Sequence, residues 1–206
     1  MTTVYLIRHS EPFKNHYGVV EANEELLFSN KKNPLSISGE KLAETISKNE
    51  EFKNVNVVWS SDYVRCMSTA KYFAFENNLK VNISEQLGER IHGVSSWDEL
   101  PQDFETHQFL DENYKESFGE SRKEATTRIV AKFNQILNEN REKRIIIVAH
   151  STIFAYLLSN WCEVSYDKEY KFENNVFFDG SWNYCETFKM TFDDTKLLSI
   201  KNLKFN

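Results

Sequence analysis

Thr3-Val4-Tyr5-Leu6-Ile7-Arg8-His9-Ser10 and Arg144-Ile145-Ile146-Ile147-Val148-Ala149-His150-Ser151 decide how this chain folds, because each is an apolar run that ends on a histidine. Continuous β-branched and aliphatic residues mark a strand buried on both faces, the kind that fills a parallel sheet. Open α/β sheets bind ligands outside the carboxyl ends of such strands. One histidine there is an ordinary strand-end residue. Two, one of them preceded by Arg8, point to a shared site.

Working outward from these runs, residues 10–37 are polar and irregular, with Pro12, Gly18, Asn33 and Pro34, and read as a long loop of the kind that carries function. Ser38 reads as the N-cap of a helix through Asn49, in which Leu42, Ala43 and Ile46 keep helical spacing. Val55–Trp59 is a short strand, and Asp62 can cap the helix that follows, which carries Val64, Met67, Ala70 and Phe73. Leu79–Ile83 reads as another strand. From Ser121 to Asn140 the positions Ala125, Ile129, Phe133, Ile136 and Leu137 mark a crossover helix feeding the strand that ends at His150. Ser151 or Thr152 can cap the next helix, and Phe172–Phe178, Tyr184–Phe192 and Leu197–Leu203 are strand candidates.

The expected fold is therefore α/β: a three-layer α/β/α sandwich with a mostly parallel central sheet and antiparallel edge strands near the C-terminus. Residues 1–206 read as one domain with a cap-like insertion around 84–118, whose aromatics are expected to pack rather than to hold a cofactor.

The chain of 206 residues is 40% hydrophobic, enough for one substantial core, and its formal net charge of -6 argues against an extended basic surface for nucleic acid. Cys66, Cys162 and Cys185 are widely spaced and odd in number, which fits neither a disulfide framework nor a metal site. No membrane-length apolar run and no leader pattern are evident, so a cytoplasmic protein without membrane association is expected. Nothing in the chain indicates its oligomeric state.

Arg8, His9, the run Ser60-Ser61-Asp62-Tyr63-Val64-Arg65, Glu89 and His150 together make a chemical inventory. Guanidinium forks match phosphate oxygens, and a neutral imidazole is a nucleophile. A second imidazole can donate when protonated, and a carboxylic acid can protonate a leaving oxygen. Such a set could carry out phosphoryl transfer without a metal or cofactor. Two like charges about 4 Å apart repel by roughly 4 kcal/mol at an effective dielectric of about 20. Gathering Arg8, Arg65 and His150 about one point thus implies a bound anion or a nearby carboxylate.

The opening Leu6-Ile7-Arg8-His9-Ser10-Glu11 resembles the Arg-His-Gly signature of the histidine phosphatase superfamily, which includes phosphoglycerate mutases, fructose-2,6-bisphosphatases and broad-specificity phosphatases. Further blocks are similar in family order: Pro34-Leu35-Ser36 with Gly39, Ser60 to Ala70, Leu87-Gly88-Glu89 with Gly93, Gly119-Glu120-Ser121, and Val148-Ala149-His150. The resemblance implies that His9 becomes a phosphohistidine, that Arg8, Arg65 and His150 hold the phosphoryl group, and that Glu89 is the general acid. Asn15 is similar to a loop asparagine that touches phosphate, with a turn-forming role as the alternative. Serine replaces the usual glycine at Ser10 and Ser151, and Cys66 stands where alanine is common; changed substrate geometry rather than lost chemistry is expected.

A phosphatase acting on a small phosphorylated substrate is the implied activity. A mutase that returns the phosphoryl group to its product and a noncatalytic phospho-ligand-binding module are the alternatives. The acids Glu11, Glu21, Glu24, Glu25, Asp98 and Glu99 would disfavour an anionic leaving group where they face it, and otherwise form a solvated surface.

Overall fold

The computed structural model of the protein describes residues 1–13, 26–166 and 168–205. Asn15, Glu21, Glu24 and Glu25 therefore lie outside the described residues. Along the chain, β1 (Thr2–Arg8) precedes α1 (Leu26–Lys32), α2 (Ile37–Ser47), β2 (Val57–Ser61), α3 (Val64–Glu76) and β3 (Val81–Ser84). Then come α4 (Phe104–Leu110), α5 (Arg122–Glu139), β4 (Arg144–Ala149) and α6 (Ser151–Leu158). The last part holds β5 (Glu163–Val164), β6 (Tyr170–Phe172), β7 (Asn175–Phe178), β8 (Thr187–Asp193) and β9 (Lys196–Leu203).

A six-stranded sheet runs β3-β2-β4-β1-β8-β9. The first four strands are parallel neighbours, and β8 and β9 add an antiparallel edge. The two histidine-terminated runs are the adjacent central strands β4 and β1, in register from Thr3 opposite Arg144 to Arg8 opposite Ala149. Their unbroken hydrophobicity follows from burial on two sides. Val4, Leu6, Ile145 and Ile147 pack under α5 and α6, whereas Tyr5, Ile7, Ile146 and Val148 pack against α2 and α3. This is the three-layer α/β/α sandwich expected.

Local details differ from the sequence expectations. Ser36, not Ser38, caps α2, its side chain accepting from Gly39 N, because the helix starts two residues sooner. Asp62 does not cap α3; Tyr63 occupies the cap position without a side-chain bond, and Asp62 instead pairs with Lys31 at 2.7 Å. His150 takes the cap position of α6, leaving Ser151 as its first helical residue. The stretch read as irregular contains α1, which buries Leu26.

Phe172–Phe178 is not one strand. Glu173 and Asn174 both adopt positive φ (49° and 66°), the geometry of a tight two-residue hairpin turn, so the run splits into β6 and β7. With β5 these form a separate three-stranded sheet rather than an extension of the main one. Their aromatics still join the core: the Phe178 and Phe188 rings meet edge to face at 5.0 Å, and Trp182 meets Phe188 at 5.3 Å.

Ser121 opens α5 with a reciprocal capping box, its hydroxyl accepting from Glu124 N while Glu124 accepts from Ser121 N. Ser121→Ala should cost about 1 kcal/mol of stability, read as a lower midpoint at unchanged slope in urea unfolding.

Candidate active site

Parallel pairing of β1 with β4 sets the two imidazoles side by side. His9 N donates to Ala149 O at 2.9 Å, and the rings of His9 and His150 lie 5.3 Å apart at 66°. Both residues are buried.

The His9 Nδ1 lies 2.8 Å from Ser10 O. A carbonyl only accepts, so Nδ1 carries the proton and Nε2 keeps its lone pair. Burial, with the charges of Arg65 and Arg8, holds His9 well below the ordinary histidine range and therefore neutral. In effect β1 ends on a nucleophile of fixed tautomer.

His150 is ordered differently. Arg65 Nη2 lies 3.2 Å from His150 Nδ1, and because a guanidinium only donates, Nδ1 is the acceptor and Nε2 bears the proton. That nitrogen faces Ser61 Oγ at 3.0 Å and Cys66 Sγ at 3.4 Å. Burial first, then Arg65, His9 and Arg8, pushes its pKa well down. The Cys66 thiol is in turn pushed up to about 12 by burial, so it is a neutral packing group beside the imidazole.

Arg65 lies on the first turn of α3, in the sequence block that also supplies Ser61. Its Nη1 donates to Asn30 O at 2.7 Å and to Asn30 Oδ1 at 3.1 Å, and its guanidinium lies 4.8 Å from the centre of the Tyr63 ring. Arg8, the last residue of β1, donates from Nη1 to Trp182 O, and its Nε is buried without a partner among the described residues. Burial lowers the Arg8 pKa, and nearby Glu89 opposes that shift.

Glu89 follows the short helical turn Glu85–Leu87. One carboxylate oxygen accepts from the backbone N–H of Arg90 (3.0 Å) and of Ile153 (3.1 Å), which ties it to the start of α6. Arg128 braces this loop by donating to Gln86 O and Gly88 O, while its guanidinium meets both oxygens of Glu120 at 2.7 Å. Glu120 accepts from Ile91 N as well. Gly93 is required here: its φ is +79°, and a Cβ on it would come within 2.2 Å of Gly119 N.

The structure thus brings Arg8, His9, Arg65, Glu89 and His150 to one end of the sheet; Asn15 lies outside the described residues. Sequence reasoning missed Asn30, Tyr63 and Arg128 as partners. Arg128 was hidden within an amphipathic helix, and Asn30 in a stretch without clear period. The hydroxyl of Ser10 bonds Gly39 O at 2.7 Å, and Ser10 N donates to Thr69 Oγ1 at 2.9 Å. The serine hydroxyl therefore ties the end of β1 to α2, while the bond to α3 comes from the backbone. Among the described residues no group of three or more His, Cys, Asp or Glu is placed to hold a metal ion.

A sequence profile of the histidine phosphatase superfamily (branch 1) matches residues 4–191. No curated protein matches the chain. Among solved structures, phosphoserine phosphatase from Entamoeba histolytica in complex with 3-phosphoglyceric acid is 17% identical, covering 99% of this chain and 98% of its own, with TM-score 0.69. Mycobacterial glucosyl-3-phosphoglycerate phosphatase with inorganic phosphate is 14% identical, with coverage of 99% and 96% and TM-score 0.68. Bacillus stearothermophilus YhfR is 17% identical, with coverage of 96% and 94% and TM-score 0.69. At such identities the likeness to these structures is one of fold.

Buried neutral histidines make stability depend on pH. His92, pushed down to about 4 by burial and then by Arg90, stays neutral in the folded chain where an unfolded histidine binds a proton from about pH 6.5. Between those values the unfolded state holds more protons, so stability falls as pH falls through the window. Melting temperature measured from pH 7 to pH 4 should drop for the wild type and drop less for His92→Gln, with His9 and His150 accounting for part of the remaining loss.

Proposed function

Because the chain belongs to the histidine phosphatase superfamily, branch 1, we propose that it is a metal-independent phosphatase that hydrolyses a small phosphate monoester through a phosphohistidine on His9. The observation that carries this reading is the fixed tautomer of His9, whose Nε2 lone pair is without a partner among the described residues and lies near Arg65 and His150.

In the proposed cycle His9 Nε2 attacks phosphorus in line, the bond from phosphorus to the ester oxygen breaks, and protonated Glu89 gives its proton to the departing alkoxide. Water then attacks the phosphohistidine. Its proton passes to the Glu89 carboxylate, the phosphorus–nitrogen bond breaks, and inorganic phosphate leaves.

Charge stabilisation comes from Arg8 and Arg65, and from His150 once an incoming dianion draws the Arg65 fork off its Nδ1 and lets that nitrogen take up a proton. Asn30 is read as a positioning residue that turns the Arg65 fork by taking both bonds of one of its nitrogens. Residues 84–118 are read as a cap over the leaving group within one domain, and Asn15 as a further phosphate contact from the neighbouring loop.

The names of similar structures support a small phosphorylated substrate, one carrying inorganic phosphate and another 3-phosphoglyceric acid.

His9→Ala should lower turnover of phenyl phosphate by on the order of 10³-fold or more while the fold persists by circular dichroism. Quenching the wild type in alkaline SDS after brief exposure to ³²P-labelled substrate should trap a base-stable phosphoryl group that is lost on acid treatment. Full turnover by His9→Ala, or a label found on another residue, defeats the assignment. Asn30→Ala removes one acceptor from a charged donor, a loss of about 1.5 kcal/mol or roughly tenfold. That loss should fall on KM for phenyl phosphate and on inhibition by inorganic phosphate, with kcat nearly kept.

A further inference from the structure

A cavity of about 440 Å³ lies between α1 and residues 90–95. It meets the site at two points: Asn30, whose oxygens hold Arg65, and Arg90, which follows Glu89 in the chain. Its size falls within the range of small-molecule sites. Leu26, Leu27, Ile91, Val94 and Phe118 give it apolar walls, and Phe118 is 88% exposed beside it although it touches the cavity.

We infer that this cavity takes the alcohol part of the phosphate monoester, and that this alcohol is uncharged and largely apolar, an aryl or branched alkyl group rather than one bearing a carboxylate or a second phosphate. The inference rests on the phosphatase reading and deepens it by naming the substrate class.

Charge accounting among the described residues supports it. Arg90 is the cation in the wall, and its Nη2 is held by both oxygens of Glu105. Its Nε and Nη1 expose essentially no surface, so a ligand in the cavity does not reach them. His92 packs edge to face against Trp97 at 4.9 Å and is neutral near pH 7, adding no second cation. The Asn30 carbonyl and amide oxygens are both occupied by Arg65, and the Ser95 carbonyl by Leu26 N. A carboxylate drawn into these walls would lose water without gaining an ionic partner, which is strongly unfavourable. An aromatic or branched alkyl group would exchange water for apolar contacts, a favourable transfer.

The test separates the cavity from the chemistry. Calorimetric titration of the His9→Ala protein compares 1-naphthyl phosphate with 3-phosphoglycerate without turnover. At least tenfold tighter binding of the naphthyl ester is expected, and the wild-type ratio of kcat/KM for the two esters should lean the same way. Val94→Lys, which puts a cation in the wall, should narrow both ratios by about tenfold or more. Equal or tighter binding of 3-phosphoglycerate, binding of neither ester, or ratios unmoved by Val94→Lys overturns the inference. Selective binding of the naphthyl ester with no phosphate released by the wild type instead overturns the phosphatase reading and upholds the apolar selectivity.

Discussion

The parallel pairing of β1 with β4 is the constraint on which the site depends. Each of these strands buries alternate side chains on opposite faces of the sheet, so a one-residue slip would send Val4 and Leu6 into the layer built for Tyr5 and Ile7. Register is fixed by two cores at once. Because both strands end at the same level, the register that satisfies the hydrophobic layers also brings His9 beside His150. The geometry of the two imidazoles thus follows from packing well away from them.

Burial has a second effect at the same place. It removes solvent from both imidazoles, and with Arg65 and Arg8 nearby it favours their neutral forms. Two guanidinium groups in such surroundings need support. Arg65 has it from the Asn30 oxygens and the Tyr63 ring, and Arg8 from Trp182 O, with Glu89 and Glu186 as opposite charges nearby. The resting site, with two guanidinium groups about the paired imidazoles, is therefore arranged for an incoming anion. Glu89 itself is fixed by backbone N–H groups from its own loop and from α6, and Arg128 with Glu120 holds that loop to α5.

Much of this was legible in the sequence because it is written in strong local patterns. The apolar runs before His9 and His150 reveal central strands, and the 3.6-residue spacing from Ala125 to Leu137 reveals α5. Arg8 ends a strand and Arg65 stands on the first turn of a helix, where pattern and chemistry coincide, whereas Glu89 lies in the loop after the short turn Glu85–Leu87. Other features had no such signal. Asn30 lies on a helix of seven residues, too short to show a period, and its oxygens matter only because Arg65 arrives from 35 positions away. The hairpin at Glu173-Asn174 hid in an aromatic-rich run because neither turn residue is glycine. Capping shifted from Ser38 to Ser36, and from Asp62 to Tyr63, since several polar residues competed for each helix start.

The contact between Cys66 and His150 has a consequence for redox behaviour. Thiolate, not thiol, reacts with peroxides and alkylating reagents, and a cysteine sealed in the core with its proton held to about 12 offers almost none. A sulfur atom beside the paired imidazoles is thus no weak point under oxidative stress so long as the chain stays folded. Labelling with iodoacetamide would report loosening of the layer between the sheet and α3, making this side chain an internal gauge of the tightness of the centre.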